Sequence, residues 1–163
     1  MALREALTWP DGARQQVDGR SIAVRRAMDE IQIEADTALV RAWVDQGDGR
    51  LTLYIAEPGC LHRLAGNQDP HTPMSRGGET RDFPCEYRAF AITNRTRYVV
   101  TVTVTQYDYD KFRDARTWIF EGLAEEPIHF ETPAEHYDDD PSEFARHLVG
   151  LIARAHTSAT RDA

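Results

Sequence analysis

The side chains best suited to chemistry in this chain are Cys60, His62, His71 and Cys85, two thiols and two imidazoles within one short stretch. Thiolate and neutral imidazole are the common zinc donors, and a closed site made of two of each would tie the ends of that stretch together. The spacing argues against it. Structural zinc sites usually bring ligands in tight pairs such as C-x2-C or H-x3-H, and Cys60-Leu61-His62 followed by a distant His71 and Cys85 matches no such pattern. Separate roles are favoured, with one or both cysteines buried as small apolar residues and both histidines exposed. No catalytic, cofactor-binding or metal residue is assigned, and whether the four converge is left to the structure.

A second feature is acidic. Glu121, Glu125, Glu126, Glu131, Glu135, Asp138, Asp139, Asp140 and Glu143 follow one another without a single Lys or Arg, with His129 and His136 among them. The segment 121–143 therefore carries about −9, and the rest of the chain nearly balances, for a net charge of −8. A calcium loop spaces its acids at alternate positions around a central Gly, whereas Asp138, Asp139 and Asp140 are consecutive. Two readings compete: a docking surface for a basic protein, or a solvated connection whose acids favour the positive end of the next helix. With 27 acids in the chain, no catalytic carboxylate pair can be singled out. G-x-S-x-G, H-E-x-x-H, C-x-x-C, the P-loop and the dinucleotide fingerprint are all missing, which lowers the prior for familiar hydrolases and nucleotide enzymes.

A third feature is the alternation in Arg97 to Asp110, RYVVTVTVTQYDYD. Period two sets Val100, Val102 and Val104 on one face of a strand and Thr101, Thr103, Thr105, Tyr107 and Tyr109 on the other. The valine face is expected to be core. The Thr/Tyr face, joined by Tyr87, is either a covered sheet face or a recognition surface.

The elements that must position these groups can be read in chain order. From Asp18, Val24, Ala27, Met28 and Ile31 recur at helical spacing, with Asp18 or Ser21 as cap. The same spacing could carry one helix on to Gly47, but Asp48-Gly49 is a hairpin dipeptide that would pair Trp43 with Tyr54 and Val44 with Leu53. A hairpin of 37–45 and 50–57 is therefore preferred, stopped by Pro58-Gly59. Residues 60–83, with Gly66, Asn67, Asp69-Pro70, Pro73, Gly77 and Gly78 and hardly any apolar periodicity, read as a long loop, which inside a compact domain usually binds something. A strand at 86–93 is expected to form a hairpin with the alternating strand, in a register that puts Phe90 and Ile92 beside the valines. A polar link at 111–114, a buried strand at 116–121 and a short strand at 128–130 follow. The last element is a helix with Asp140 as cap, Pro141 at its first position, Glu143 closing a capping box, and Phe144, Leu148, Leu151, Ile152 and Ala155 as its buried stripe.

These elements make one α+β domain over 1–157 with a flexible tail at 158–163: a mainly antiparallel sheet of about five to six strands, an N-terminal helix and a C-terminal amphipathic helix packed on it. A chain of 163 residues suits one core. The acidic balance, with pI near 5.2, argues against nucleic-acid and anionic-membrane partners. No apolar run approaches the roughly 20 residues of a membrane span, and no signal peptide is evident, so a cytoplasmic protein with reduced cysteines is expected. The leading functional expectation is a soluble, non-catalytic binding or adaptor module that engages another protein, possibly basic, through the 60–83 loop, the acidic 121–143 segment or both. The alternative is a small-molecule-binding protein or enzyme with a pocket between the sheet and the helices.

Overall fold

A computed structural model describes residues 21–30, 40–45, 50–67, 69, 77, 80–132 and 141–161. In chain order the elements are α1 (Ile22–Glu30), β1 (Val40–Asp45), β2 (Arg50–Glu57), β3 (Cys60–Asn67), β4 (Cys85–Ala91), β5 (Arg97–Asp108), β6 (Lys111–Glu121), β7 (Ile128–Glu131) and α2 (Ser142–Arg161). The class is α+β and every strand pairing is antiparallel, but the strands form two sheets rather than one. The first has the order β1-β2-β3-β4 and the second β5-β6-β7.

Two layers cover the first sheet. On one face Tyr54, Ala56 and Leu61 join Trp118 and Phe120 of β6, Ile128 and Phe130 of β7, and Phe144, Ala145, Leu148, Leu151 and Ile152 of α2 in a single core. On the other face α1 lies against β3 and β4. Its first turn is capped as the sequence suggested: the Val24 N–H donates to Ser21 Oγ at 3.2 Å. Ser21 Oγ in turn donates to the Asn67 carbonyl, and the Ile22 N–H donates to Asp69 Oδ1 at 2.8 Å, which pins the helix to the end of β3. Gly66 makes the close approach possible, because a Cβ there would stand 2.9 Å from Val24 Cγ2 and 3.3 Å from Cys85 Cβ.

The strand at β1 rules out a single helix running from α1 to Gly47. The β1–β2 register sets Trp43 opposite Leu53 and Ala42 opposite Tyr54, one residue away from the register expected. Matching apolar partners could not choose between the two because β2 is buried on both faces from Leu51 to Ala56.

The long loop at 60–83 is also corrected. Its first eight residues are β3, because Pro58-Gly59 does not end the sheet but turns it. Glu57 pairs with Cys60, so the loop of this hairpin has two residues, with Gly59 at φ +84° where L side chains are strained. β3 has no period-two signature because Leu61 and Leu64 are buried on opposite faces.

The hairpin expected between β4 and β5 does not form, so Phe90 and Ile92 do not join the valines. β4 pairs with β3, while the turn at Thr93–Thr96, with Thr96 fully buried, carries the chain into the second sheet. There β5 pairs with β6 from Arg97↔Glu121 to Asp108↔Lys111, and residues 111–114 are strand, not link. They carry polar groups because this end of the ribbon is exposed, with no layer over either face among the described residues. The C-terminal helix begins at Ser142 with the expected buried stripe and runs through 158–161, into the segment read as tail. Asp140 lies outside the described residues.

Candidate functional site

The β2–β3 turn builds a polar cluster on the α1 side of the first sheet. Glu57 and Cys60 are cross-strand partners, and His62 follows two residues later on the same face. Tyr87 enters from β4, where it sits opposite Leu64. His62 is buried, with Nε2 2.8 Å from Glu57 Oε1 and Nδ1 2.7 Å from the Tyr87 hydroxyl; Cys60 Sγ lies 4.0 Å from Nδ1. The His62 and Tyr87 rings stack, 5.9 Å between centroids and 11° between planes. Glu57 can only accept when ionised, so a neutral imidazole carries its proton on Nε2 and receives the Tyr87 O–H at Nδ1.

Burial, then the nearby Glu57 charge, push the Cys60 thiol up, with partial relief from the Phe90 backbone N–H. Tyr87 is raised too, by burial and by Cys60 and Glu57. Near neutral pH both groups therefore keep their protons, and Cys60 lacks the electropositive setting of a nucleophilic cysteine.

Tyr87 also walls an open cleft of about 730 Å³ between α1 and β4, lined with Ile22, Ala23, Arg26, Phe83 and Cys85 among others. Its volume is in the range of small-molecule sites, and its lining mixes apolar side chains with the charged Arg26 and Glu30.

The four residues once weighed as a zinc set are thus split. Cys60 and His62 come together with Glu57, whereas Cys85 is opposite Gly66, six residues along β3 from Cys60, or about 20 Å at ~3.3 Å per residue. His71 lies outside the described residues. Both cysteines are free thiols, and burial raises Cys85 as well. Glu57 was missed. Reading Pro58-Gly59 as a two-residue hairpin turn would have placed it across from Cys60.

The acidic segment is described through Thr132 and again from Pro141. Ile128 and Phe130 inside it are core, while Glu121, Glu125, Glu126, Glu131 and Glu143 are exposed. No protein-family model, curated protein or solved structure matches the chain. Among the described residues no helix is long and apolar enough to cross a membrane.

The largest departure from expectation is β5. Its valine face, expected as core, is open: Val100, Val102 and Val104 are 41%, 51% and 59% exposed, and Phe112 on the same face of β6 is 59% exposed. The Thr/Tyr face is exposed too, with Arg113 stacked 5.5 Å over the Tyr107 ring. Tyr87 is not part of it, since β4 is in the other sheet. The cause is geometric. β7 pairs with β6 only from Thr117 to Phe120, so beyond Arg116 the sheet narrows to a two-stranded ribbon.

Proposed function

We propose that this domain is a protein-binding module whose recognition element is β5, and that the strand it accepts is β5 of a second copy. One observation carries the reading: β5 is an edge strand of twelve residues, exposed throughout, whose centre is a palindrome. An edge presents a row of unpaired backbone N–H and C=O groups, and natural edges are usually blunted by charges, prolines or bulges. From Tyr98 to Gln106 there is no charge and no proline, and the bulge lies beyond, between Gln106 and Asp108. Two copies of Val100-Thr101-Val102-Thr103-Val104, antiparallel and centred on Val102, match valine with valine and threonine with threonine. Such an isologous pairing satisfies the edge and joins two three-stranded sheets across a two-fold axis.

The centre of the palindrome supplies the test. Val102 would face its own copy, so Val102→Lys and Val102→Glu each set like charges in opposition, while a mixture of the two variants sets lysine against glutamate. Sedimentation velocity should give a dimer for the parent chain, monomers for each variant alone and a dimer for the mixture. A monomeric parent chain, or a Val102→Lys variant that stays dimeric, would overturn the proposal. Val102 is half exposed, so neither variant disturbs the core.

A further inference from the structure

We infer that Glu57, Cys60 and His62 form a three-ligand site for a divalent cation of the zinc type. The donors are a carboxylate oxygen, a sulfur and one ring nitrogen, and all lie within 4.8 Å of one another. Tetrahedral zinc, with bonds of about 2.0–2.3 Å, needs its donors roughly 3.3–3.6 Å apart, so the widest pair has to draw in by up to about 1.5 Å. Rotation about side-chain bonds covers that distance. The backbone need not move, because the three residues are fixed to one face of a two-residue hairpin by the Glu57↔Cys60 and Ile55↔His62 pairings. Spacing in sequence hid this set, since the paired ligands of a structural zinc site sit on one strand or turn, whereas here a hairpin brings Glu57 across to Cys60.

The donor chemistry selects the metal. A thiolate beside an imidazole disfavours magnesium and calcium, which take oxygen ligands, and suits zinc or cobalt(II). His62 offers the metal Nε2, which already lies 2.8 Å from Glu57, and keeps Nδ1 in its present hydrogen bond to the Tyr87 hydroxyl. That is the usual outer support of a metal-bound histidine. Three protein donors leave a fourth position open for water or another ligand. The site is independent of β5 and of whether the chain dimerises.

Metal titration of the full chain tests the assignment. Zinc chloride is expected to bind one per chain and to survive desalting, and cobalt(II) should give a near-ultraviolet thiolate-to-metal charge-transfer band. Cys60→Ser should abolish that band, Cys85→Ser should keep it, and Glu57→Gln should weaken zinc binding by at least about 10-fold, since losing even an outer-shell partner costs that much. A readout on the unmodified chain guards against a variant that fails to fold: zinc should shield Cys60 from a thiol reagent and leave Cys85 as reactive as before. Absence of stoichiometric zinc binding, cobalt bound without the charge-transfer band, or protection of Cys85 in place of Cys60 would each overturn the proposal.

Discussion

Replacing Phe130 by Ala tests whether the two sheets and α2 share one core. Phe130 is buried on β7, and its ring meets three others edge-on: Tyr54 of the first sheet at 5.3 Å, Phe120 of the second at 5.9 Å and Phe144 of α2 at 5.5 Å between centroids. Truncating a buried phenylalanine costs about 3–5 kcal/mol, from lost transfer energy and the cavity left behind. For a chain of this length each kcal/mol lowers the melting temperature by roughly 2–4 °C, so Phe130→Ala should lose about 6–20 °C. Phe130→Leu keeps most of the volume and gives up mainly the edge contacts, about 0.5–1.5 kcal/mol each where they are well formed. Urea denaturation followed by circular dichroism and by tryptophan fluorescence gives both the size and the cooperativity of the loss. The midpoint should fall in one coincident transition with an unchanged slope. A loss under about 1 kcal/mol, or two separate transitions in the parent chain, would refute the shared core.

Three further outcomes follow from particular contacts. Gly66→Ala should destabilise the domain by about 1–3 kcal/mol, since its Cβ would press on Val24, and Val24→Ala should recover part of that loss in a double-mutant cycle; strict additivity would count against the contact. Ser21→Ala, which removes the cap of α1, should cost about 0.5–2 kcal/mol in a thermal melt, and an unchanged midpoint would show that the cap contributes nothing. His147 is held below the ordinary imidazole value, first by burial and then by Arg154, with Glu143 opposing, and its Nε2 is buried with no hydrogen-bond partner. Its folded value lies below its unfolded one, so its contribution is present above about pH 6.5 and is lost as the pH falls below that. The midpoint of the parent chain should therefore drop more between pH 7.5 and 5.5 than that of His147→Gln, and parallel profiles would sink the assignment.

What the sequence made legible follows from how each element is buried. α1 and α2 face the core along one stripe, and the caps and apolar spacing locate both to within a few residues. β5 alternates so cleanly that its strand character was plain, yet alternation reports two chemically different faces and not which of them is covered. The valines of β5 were expected inside because apolar faces usually are; they lie outside because β7 is four residues long and, among the described residues, no third strand pairs with the ribbon past Arg116. β2 and β3 failed in the opposite way. Buried on both faces, they carry no period-two signal, so the register of β1–β2 slipped by one and β3 was read as loop.

The polar cluster was half legible for the same reason. Cys60 and His62 stand two apart, the spacing that puts two side chains on one face of a strand, but only once β3 is known to be a strand does that spacing mean anything. Glu57 then follows without further information, because a two-residue loop leaves a single partner for Cys60. The recovery runs from Gly59 outward: a glycine able to hold φ +84° permits the tight turn, the turn fixes the register, and the register gathers carboxylate, thiol and imidazole on one face. A variant that forbids the turn should undo all of it at once. Gly59→Val places a β-branched side chain at positive φ, and nothing lies within 4 Å of the added Cβ, so its cost is conformational and not steric. It should lower stability by about 1–3 kcal/mol and loosen the Glu57–His62 contact, read as faster hydrogen exchange along β3. Unchanged exchange with the same stability loss would mean that the cluster is held by packing against its neighbours and not by the turn.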